Sequence, residues 1–201
     1  MMKLLFLDVE TGGLDPFTHS LLEVGMVAYA DGEVIDRLFL SIKHDLYHID
    51  AEALIYNGIN LTDIWRNGIS PKEAVSRMID FIQTNFGPKK KPILVGHNPS
   101  LDKFMLIQLF GSVQRDLSNY VSHRMIDTMS LIWTLHMVGQ LPIQACSSDG
   151  AFKFFNIGVE RRHNAIDDCL ATITLFERLV AIMREAFSRE PVACNRISEG
   201  R

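Results

Sequence analysis

Four acidic side chains and one imidazole, spread over three separate segments, are the residues of this sequence that could do chemistry. Asp8 and Glu10 lie in DVETGGL, Asp102 lies in GHNPSLDK, and His163 and Asp168 lie in HNAIDD. Carboxylates gathered in one place repel each other, and a divalent cation between them relieves that repulsion. An imidazole with an ordinary pKa of about 6.5 can take a proton from water near neutral pH. Brought together, these five residues predict a metal-assisted hydrolase.

Each motif taken alone also has a purely structural explanation. Asp8 and Glu10 could be a solvated strand end. Asp102 and Asp168 could complement helix dipoles, and His163 could cap a helix. The local context favours chemistry, because two glycines follow the first motif and allow a ligand to approach the backbone closely. In addition, GHN follows an apolar run, at the end of a strand where α/β sheets bind ligands.

The composition predicts one globular domain. The chain has 201 residues and 22.8 kDa, with 47% hydrophobic and 22% charged residues, which is ordinary for a folded protein. A net charge of −4 argues against a broad electrostatic clamp on duplex nucleic acid. Three cysteines without CxxC spacing indicate a reducing compartment and no zinc site. No apolar stretch reaches the length of a membrane helix, so we expect a cytoplasmic protein with its domain at 1–187 and a disordered tail at 188–201.

The elements that must position these residues follow from hydrophobic periodicity and turn signals. Three strands at 3–8, 21–29 and 34–42 predict an antiparallel meander, followed by a short strand at 92–96 and a weaker candidate at 121–126. Helices are predicted at 51–56, 71–86, 101–110, 128–135, 148–155 and 164–187. The sequence therefore predicts an α/β fold, with a mixed five-stranded sheet flanked by helices.

The three motifs, in this order, resemble those of the DnaQ-like 3′–5′ exonucleases, in the subgroup called DEDDh after its four acids and histidine. LLEVGMV, YNGINLTDI, MIDTMSL and FFNIG resemble connecting segments of the same family, so the similarity covers roughly residues 3 to 180. The resemblance implies a ribonuclease H-like fold. It also implies an enzyme that hydrolyses phosphodiester bonds from a 3′ end and releases nucleoside 5′-monophosphates.

The resemblance assigns a role to each of the five residues. Asp8, Glu10, Asp102 and Asp168 match the carboxylates that bind two divalent ions, Mg²⁺ or Mn²⁺, and oxygen ligands suit these ions. His163 matches the general base that deprotonates the attacking water. Two ions of this kind stabilise the attacking and leaving oxygens of a phosphodiester.

The same resemblance points to substrate contacts. Thr11, Gly12 and Gly13 match a turn that contacts the terminal 3′ nucleotide. Leu14 matches an apolar wedge beneath its base, although core packing explains a leucine there equally well. A wedge of this kind reads no base edge, so we expect little sequence preference.

Three polar residues have less certain roles. Asn98, in GHN, fits a substrate contact and a turn residue equally. Asn57 stands where many relatives have a histidine near the substrate; it can donate a hydrogen bond to a nucleotide but cannot carry charge. Glu23 is a weaker candidate for a supporting role near the carboxylates.

Single-stranded DNA is the expected substrate, and short RNA, as in oligoribonuclease-like relatives, is the alternative. An alternative of another class is a nucleic-acid-binding or polymerase-associated module without catalysis. A purely structural domain is a third. A homodimer and a polymerase partner both stay open.

Overall fold

Five strands form one mixed sheet in the computed structural model, which describes residues 3–158 and 163–188. The strands are β1 (Lys3–Thr11), β2 (Leu21–Ala30), β3 (Glu33–Ser41), β4 (Ile93–Gly96) and β5 (Met125–Asp127). Their order across the sheet is β3-β2-β1-β4-β5. The first three strands pair antiparallel, whereas β1 with β4 and β4 with β5 pair parallel. This is the predicted meander followed by parallel strands.

Seven α-helices connect and cover these strands in the described part of the chain. They are α1 (Ala51–Asn57), α2 (Leu61–Asn67), α3 (Pro71–Phe86), α4 (Ser100–Ser112), α5 (Thr128–Met137), α6 (Ser148–Phe154) and α7 (Ala165–Ser188). Six match predicted helices to within two residues at each end, and α2 was not predicted. Across the described ranges, no helix combines the length and the apolar character needed to cross a membrane.

Two strands differ from the prediction in ways that affect the site. The first strand was predicted to end at Asp8, but β1 continues to Thr11 because β2 pairs with it along its whole length. The last strand was predicted at 121–126, but β5 is confined to Met125–Asp127 because its partner β4 has only four residues. The predicted tail lies outside the described residues, apart from Ser188, the last residue of α7.

The two faces of the sheet have different covers. Leu5 and Leu7 of β1 share a core cluster with buried residues of α3 and α4. Leu4 and Phe6 instead share a cluster with Cys169 and Ile173 of α7. Because side chains alternate along a strand, the even-numbered residues of β1 face α7. Asp8 and Glu10 therefore lie on the α7 side of the sheet.

Candidate active site

Strand β1 carries the first pair of carboxylates. Asp8 lies opposite Gly25 of β2, and Glu10 lies opposite Glu23. Both acids lie inside the strand rather than at its end, and Glu10 is only 8% exposed. Glu23 thus stands on the same face as Glu10, where two like charges directly across a sheet are unfavourable without a counterion.

The third carboxylate reaches β1 from the start of α4. Strand β4 pairs with β1 only as far as Phe6 and Val95, so the later N–H groups on that edge of β1 need other acceptors. The N–H of Val9 donates to Oδ1 of Asp102 at 3.0 Å. Asp102 lies in the first turn of α4, just beyond the end of β4. The early end of β4 therefore opens the position that Asp102 fills, between the two acids of β1.

The turn between β4 and α4 is fastened to the start of α5. The N–H of Asn98 donates to Oδ1 of Asp127 at 2.9 Å, and Asn98 has a left-handed φ of 59°. The hydroxyl of Thr128 donates to the carbonyl oxygen of Gly96 at 3.2 Å and lies 2.8 Å from Nδ1 of His97. Asn98 is thus a turn residue with an exposed side chain, and its contact with substrate stays a prediction.

Asp127 holds this junction together. Its carboxylate accepts from the N–H groups of Met129 and Ser130 and caps α5, as well as accepting from Asn98. Burial raises its pKa, but these hydrogen bonds and the one from the Ser130 hydroxyl outweigh burial and lower the pKa of Asp127 below its ordinary value. The sequence did not predict the link between Asp127 and Asn98.

The fourth carboxylate and the histidine come from the start of α7. The backbone N–H of His163 donates to Oδ2 of Asp168 at 2.9 Å, and His163 has a left-handed φ of 61°. Candidate ligand atoms of Glu10, His163 and Asp168 all lie within 4.8 Å of one another. A left-handed residue before the first helical turn therefore places the imidazole beside two of the carboxylates.

Glycine at position 25 allows α7 to lie this close to the sheet. A Cβ atom on Gly25 would collide with the carbonyl group of Ala165 in the first turn of α7. The thiol of Cys169, one residue after Asp168, donates to the carbonyl oxygen of Gly25 at 3.3 Å. The absence of a side chain on β2 thus sets the distance between Asp168 and the acids of β1.

The electrostatics of the site indicate concentrated negative charge. Burial, followed by the charges of Asp8, Asp102 and Asp168, raises the pKa of the Cys169 thiol well above its ordinary value. Burial also raises the pKa of Asp102 from 3.8 to about 7, against the lowering effect of the hydrogen bond from Val9. Carboxylates that are costly to ionise together are those that a divalent cation would stabilise. The donor set, mainly carboxylate oxygen, fits Mg²⁺ or Mn²⁺.

The turn after β1 is tightly built. The N–H of Gly12 donates to the carbonyl oxygen of Ser20 at 2.8 Å, and the Thr11 hydroxyl donates to that of Gly13 at 2.7 Å. A Cβ atom on Gly12 would lie 2.5 Å from the carbonyl oxygen of His48, so only glycine fits there. Leu14 is 82% exposed, which excludes core packing. Its role as a wedge stays a prediction.

Asn57 fastens α1 to the end of β1. Its side-chain amide donates to the carbonyl oxygen of Thr11 at 3.1 Å and accepts from the N–H of Ile59 at 3.1 Å. The side chain is 9% exposed. Asn57 therefore supports the turn structurally, and a contact with nucleotide stays a prediction.

One residue near the site was missed by sequence reasoning. The ring of Tyr56 packs against the imidazole of His163, with 4.1 Å between ring centroids. The sequence does not predict this contact, because hydrophobic periodicity reports neighbours within one helix and His163 lies far from Tyr56 in the chain.

Comparisons with known proteins identify relatives of this chain. The family model RNase_T, described as Exonuclease, matches residues 5–176. A DNA polymerase III PolC-type from Thermotoga petrophila is 27% identical over 89% of this chain, which spans 12% of that protein. Ribonuclease T from Buchnera aphidicola is 26% identical over 87% of this chain and 81% of that protein.

A solved structure shows the same fold. E. coli Exonuclease I in complex with a dT13 oligonucleotide superimposes with a TM-score of 0.80 at 16% identity, over 94% of this chain and 43% of that one. The predicted ribonuclease H-like sheet is thereby confirmed.

Proposed function

This chain belongs to the Exonuclease (RNase_T) family of phosphodiester hydrolases, and from that premise we propose that it releases nucleoside 5′-monophosphates from the 3′ end of single-stranded DNA with divalent metal ions. The observation that carries the proposal is the convergence of acids from three distant segments on one strand. Asp102 bonds to the backbone of β1, and Asp168 lies with His163 beside Glu10.

Metal dependence is supported by the donor set. Asp8, Glu10, Asp102 and Asp168 would hold two ions, Mg²⁺ or Mn²⁺, and neutralise their own repulsion by doing so. When bound, such ions supply stabilisation of negative charge on the attacking and leaving oxygens. The elevated pKa of Asp102 supports this role, because a desolvated carboxylate without a cation is costly to ionise.

His163 is the proposed general base. It takes a proton from the water that attacks the terminal phosphorus, and the bond from that phosphorus to the preceding 3′ oxygen breaks. That oxygen takes up a proton from solvent and remains on the shortened strand as a 3′ hydroxyl. The terminal nucleotide then leaves as a 5′-monophosphate. The backbone bond to Asp168 fixes the position of His163 beside the carboxylates, while its side chain stays outside the regular helix.

Single-stranded DNA is favoured as the substrate by two observations. The fold is that of an exonuclease solved with a dT13 oligonucleotide. An exposed leucine follows the Gly12–Gly13 turn, where an unpaired base could pack against it without reading its edge. A polymerase partner is suggested only by the PolC-type relatives, of which this chain spans 12%, and a homodimer also stays a prediction.

Short RNA is the second candidate. Ribonuclease T, of which this chain spans 81%, is the observation that favours it. A catalytically inactive binding module is the candidate of another class, and the presence of all four carboxylates and the histidine counts against it.

A time course on matched 3′-labelled DNA and RNA oligonucleotides, single-stranded and duplex, would test the proposal. We expect Mg²⁺- or Mn²⁺-dependent release of mononucleotides from single-stranded DNA, abolished by chelator. Glu10→Gln should remove the activity, and Glu33→Gln, at an exposed strand position, is the matched control. Turnover of RNA alone would refute single-stranded DNA as the substrate. Oligonucleotide binding without any release of mononucleotides would refute the proposed exonuclease activity.

His163→Ala separates base from ligand. As a base, His163 contributes to turnover, so the variant should bind Mn²⁺ and oligonucleotide like the wild type while cleaving slowly. Isothermal titration calorimetry with Mn²⁺ measures the metal affinity of the variant. A collapse of that affinity would show that His163 is a metal ligand and not the base, and its distance to Glu10 and Asp168 also permits that role.

A further inference from the structure

Tyr56 lies at the edge of the candidate active site without a role in the mechanism above. It belongs to the last turn of α1 and is 68% exposed, so it contributes little to the core. Its ring centroid lies 4.1 Å from that of His163, with 47° between the ring planes. An exposed aromatic side chain with its one described ring contact on the proposed base calls for a functional explanation.

Helix α1, which carries Tyr56, is anchored to the strand that bears the carboxylates. The amide of Asn57 bonds to the carbonyl oxygen of Thr11, and the N–H of Asp50 bonds to that of Gly12 at 2.7 Å. Both ends of this seven-residue helix are thus tied to the end of β1. The backbone of Tyr56 is therefore held at a set place relative to the end of β1.

His163 is constrained differently. Its backbone is fixed by the bond to Asp168, and its left-handed φ leaves it before the first helical turn of α7. A backbone bond fixes the Cα position but leaves the side-chain torsions free. The tyrosine ring packs against the imidazole, and a ring nitrogen of His163 lies within 4.8 Å of carboxylate oxygens of Glu10 and Asp168.

We propose that Tyr56 is a positioning residue for His163, holding the imidazole over the carboxylates through ring packing. The inference rests on the proposed role of His163 as the base. The contact requires the aromatic ring and not the hydroxyl, so phenylalanine can replace tyrosine and leucine cannot. Tyr56 acts through His163, and its loss should slow the chemical step without weakening substrate binding.

The competing explanation is that Tyr56 stacks on a substrate base, as exposed aromatics do in single-strand binding proteins. The two explanations predict different kinetics. Loss of a stacking residue lowers substrate affinity, whereas loss of a positioning residue lowers the single-turnover rate at saturating enzyme. Comparison of Tyr56→Leu with Tyr56→Phe under single-turnover conditions separates them.

We expect Tyr56→Leu to lower the single-turnover rate about 10-fold, because small misplacements of a reacting group are costly. The apparent substrate affinity should change less than about 2-fold, which corresponds to about 0.4 kcal/mol. Tyr56→Phe should recover most of the lost rate. Ile55→Ala is the matched control, since Ile55 is also an exposed apolar residue of α1 and is adjacent to Tyr56. A loss confined to affinity, or equal losses in Tyr56→Leu and Tyr56→Phe, would overturn the proposal.

A double variant tests whether the effect passes through His163. In the His163→Ala background, Tyr56→Leu should cause no further loss of rate, because the ring that Tyr56 positions is absent. An undiminished 10-fold loss in that background would show that Tyr56 acts elsewhere. If His163→Ala itself retains full activity, the proposed base is wrong, which is a failure distinct from that of the positioning role.

A metal-free measurement checks the contact directly. The ring current of Tyr56 should displace the imidazole proton resonances of His163 in the NMR spectrum of the ¹³C-histidine-labelled protein, and the His163→Ala spectrum identifies them. We expect the displacement to persist in Tyr56→Phe and to disappear in Tyr56→Leu. Unchanged His163 resonances in Tyr56→Leu would exclude the contact, whatever the kinetics.

Discussion

Asp102 and Asp168 are alike in sequence context and unlike in what holds them. Both lie in the first turn of a helix, and both bring a carboxylate to β1. Asp102 accepts from Val9, 93 residues away, and so joins α4 to the sheet. Asp168 accepts from His163, five residues away, and so joins the proposed base to its own helix. The hydrogen bond of Asp102 therefore connects distant segments of the chain, whereas the hydrogen bond of Asp168 is local.

The difference shows that the same residue at the same helix position can depend on different parts of the fold. The place of Asp102 depends on where β4 ends, because only the unpaired edge of β1 offers it the Val9 N–H. The place of Asp168 depends on how closely α7 approaches β2, which Gly25 determines. Changes to the sheet edge and to the β2–α7 contact should therefore affect the two acids separately.

The largest effect is expected from removing either carboxylate. Asp102→Ala and Asp168→Ala should each lower the single-turnover rate on the order of 10²- to 10³-fold, the cost of losing one strong electrostatic contact in a catalytic site. Asp63→Asn, an exposed acid in the first turn of α2, should leave the rate unchanged. Retained activity in either alanine variant, measured on single-stranded DNA with Mn²⁺, would remove that acid from the proposed site.

Gly25→Ala should displace Asp168 and leave the position of Asp102 unchanged. The added Cβ meets the backbone of Ala165, which cannot move without shifting α7, so we expect a loss of about 3 kcal/mol in the free energy of unfolding and a slower cleavage rate. Gly111→Ala is the control, because nothing lies near its Cβ position in α4 and alanine favours a helix. Urea denaturation of both variants decides; a fully stable, fully active Gly25→Ala would contradict the close packing.

Asp102→Asn should stabilise the metal-free protein while abolishing activity. The pKa of Asp102 is raised from 3.8 in the unfolded chain to about 7 in the folded protein. Between about pH 4 and pH 7 the folded protein therefore holds a proton on Asp102 that the unfolded chain has released. Stability from this group is therefore greatest at low pH and falls as pH rises from about 4 to 7. Asparagine still accepts from Val9 and carries no charge.

The measurement is denaturation in chelator across that pH range. We expect the free energy of unfolding of Asp102→Asn to exceed that of the wild type by about 4 kcal/mol at pH 8, with the difference shrinking as the pH falls toward 4. The expectation would be wrong if the difference in unfolding free energy stayed constant across the pH range, or if the variant were less stable than the wild type. Either result would mean that ionisation of the desolvated Asp102 carboxylate does not destabilise the folded protein.

The comparison also separates what could be predicted from sequence from what could not. The acids, the histidine and most elements were predicted because each rests on a local pattern, such as an apolar run ending in DVE or a helix start at HNAIDD. Helix α2 was missed because only Ile64 among its seven residues is buried, which leaves no periodic pattern. Strand β5 was misplaced because its extent is set by its short partner and not by its own residues.

The contacts that hold the site were least predictable. The bond from Asn98 to Asp127 and the packing of Tyr56 on His163 join segments far apart in the chain. Asn57 was considered only as a nucleotide contact, whereas its amide bonds to the end of β1. Sequence motifs identify groups that can react; their supports depend on the turn geometry and on the helices that pack beside them.

The smallest effect concerns the part of α7 remote from the site. The hydroxyl of Tyr29 donates to Glu177 at 2.7 Å, and burial, together with this carboxylate, raises the pKa of Tyr29 to about 12. Tyr29→Phe should therefore cost about 1 kcal/mol of unfolding free energy at neutral pH. Because the folded-state pKa is raised, this contribution is complete below about pH 10 and is lost as the pH rises toward 12.

Cleavage by Tyr29→Phe should match the wild type, because the close contact at Gly25, and not this hydrogen bond, sets the position of Asp168. Denaturation at neutral and alkaline pH, run beside the cleavage assay, measures both expectations on one variant. A slower rate in Tyr29→Phe would mean that the far end of α7 also positions Asp168. The position of Asp168 would then depend on the whole length of α7 and not on local contacts alone. The difference between Asp168 and Asp102 would be correspondingly smaller.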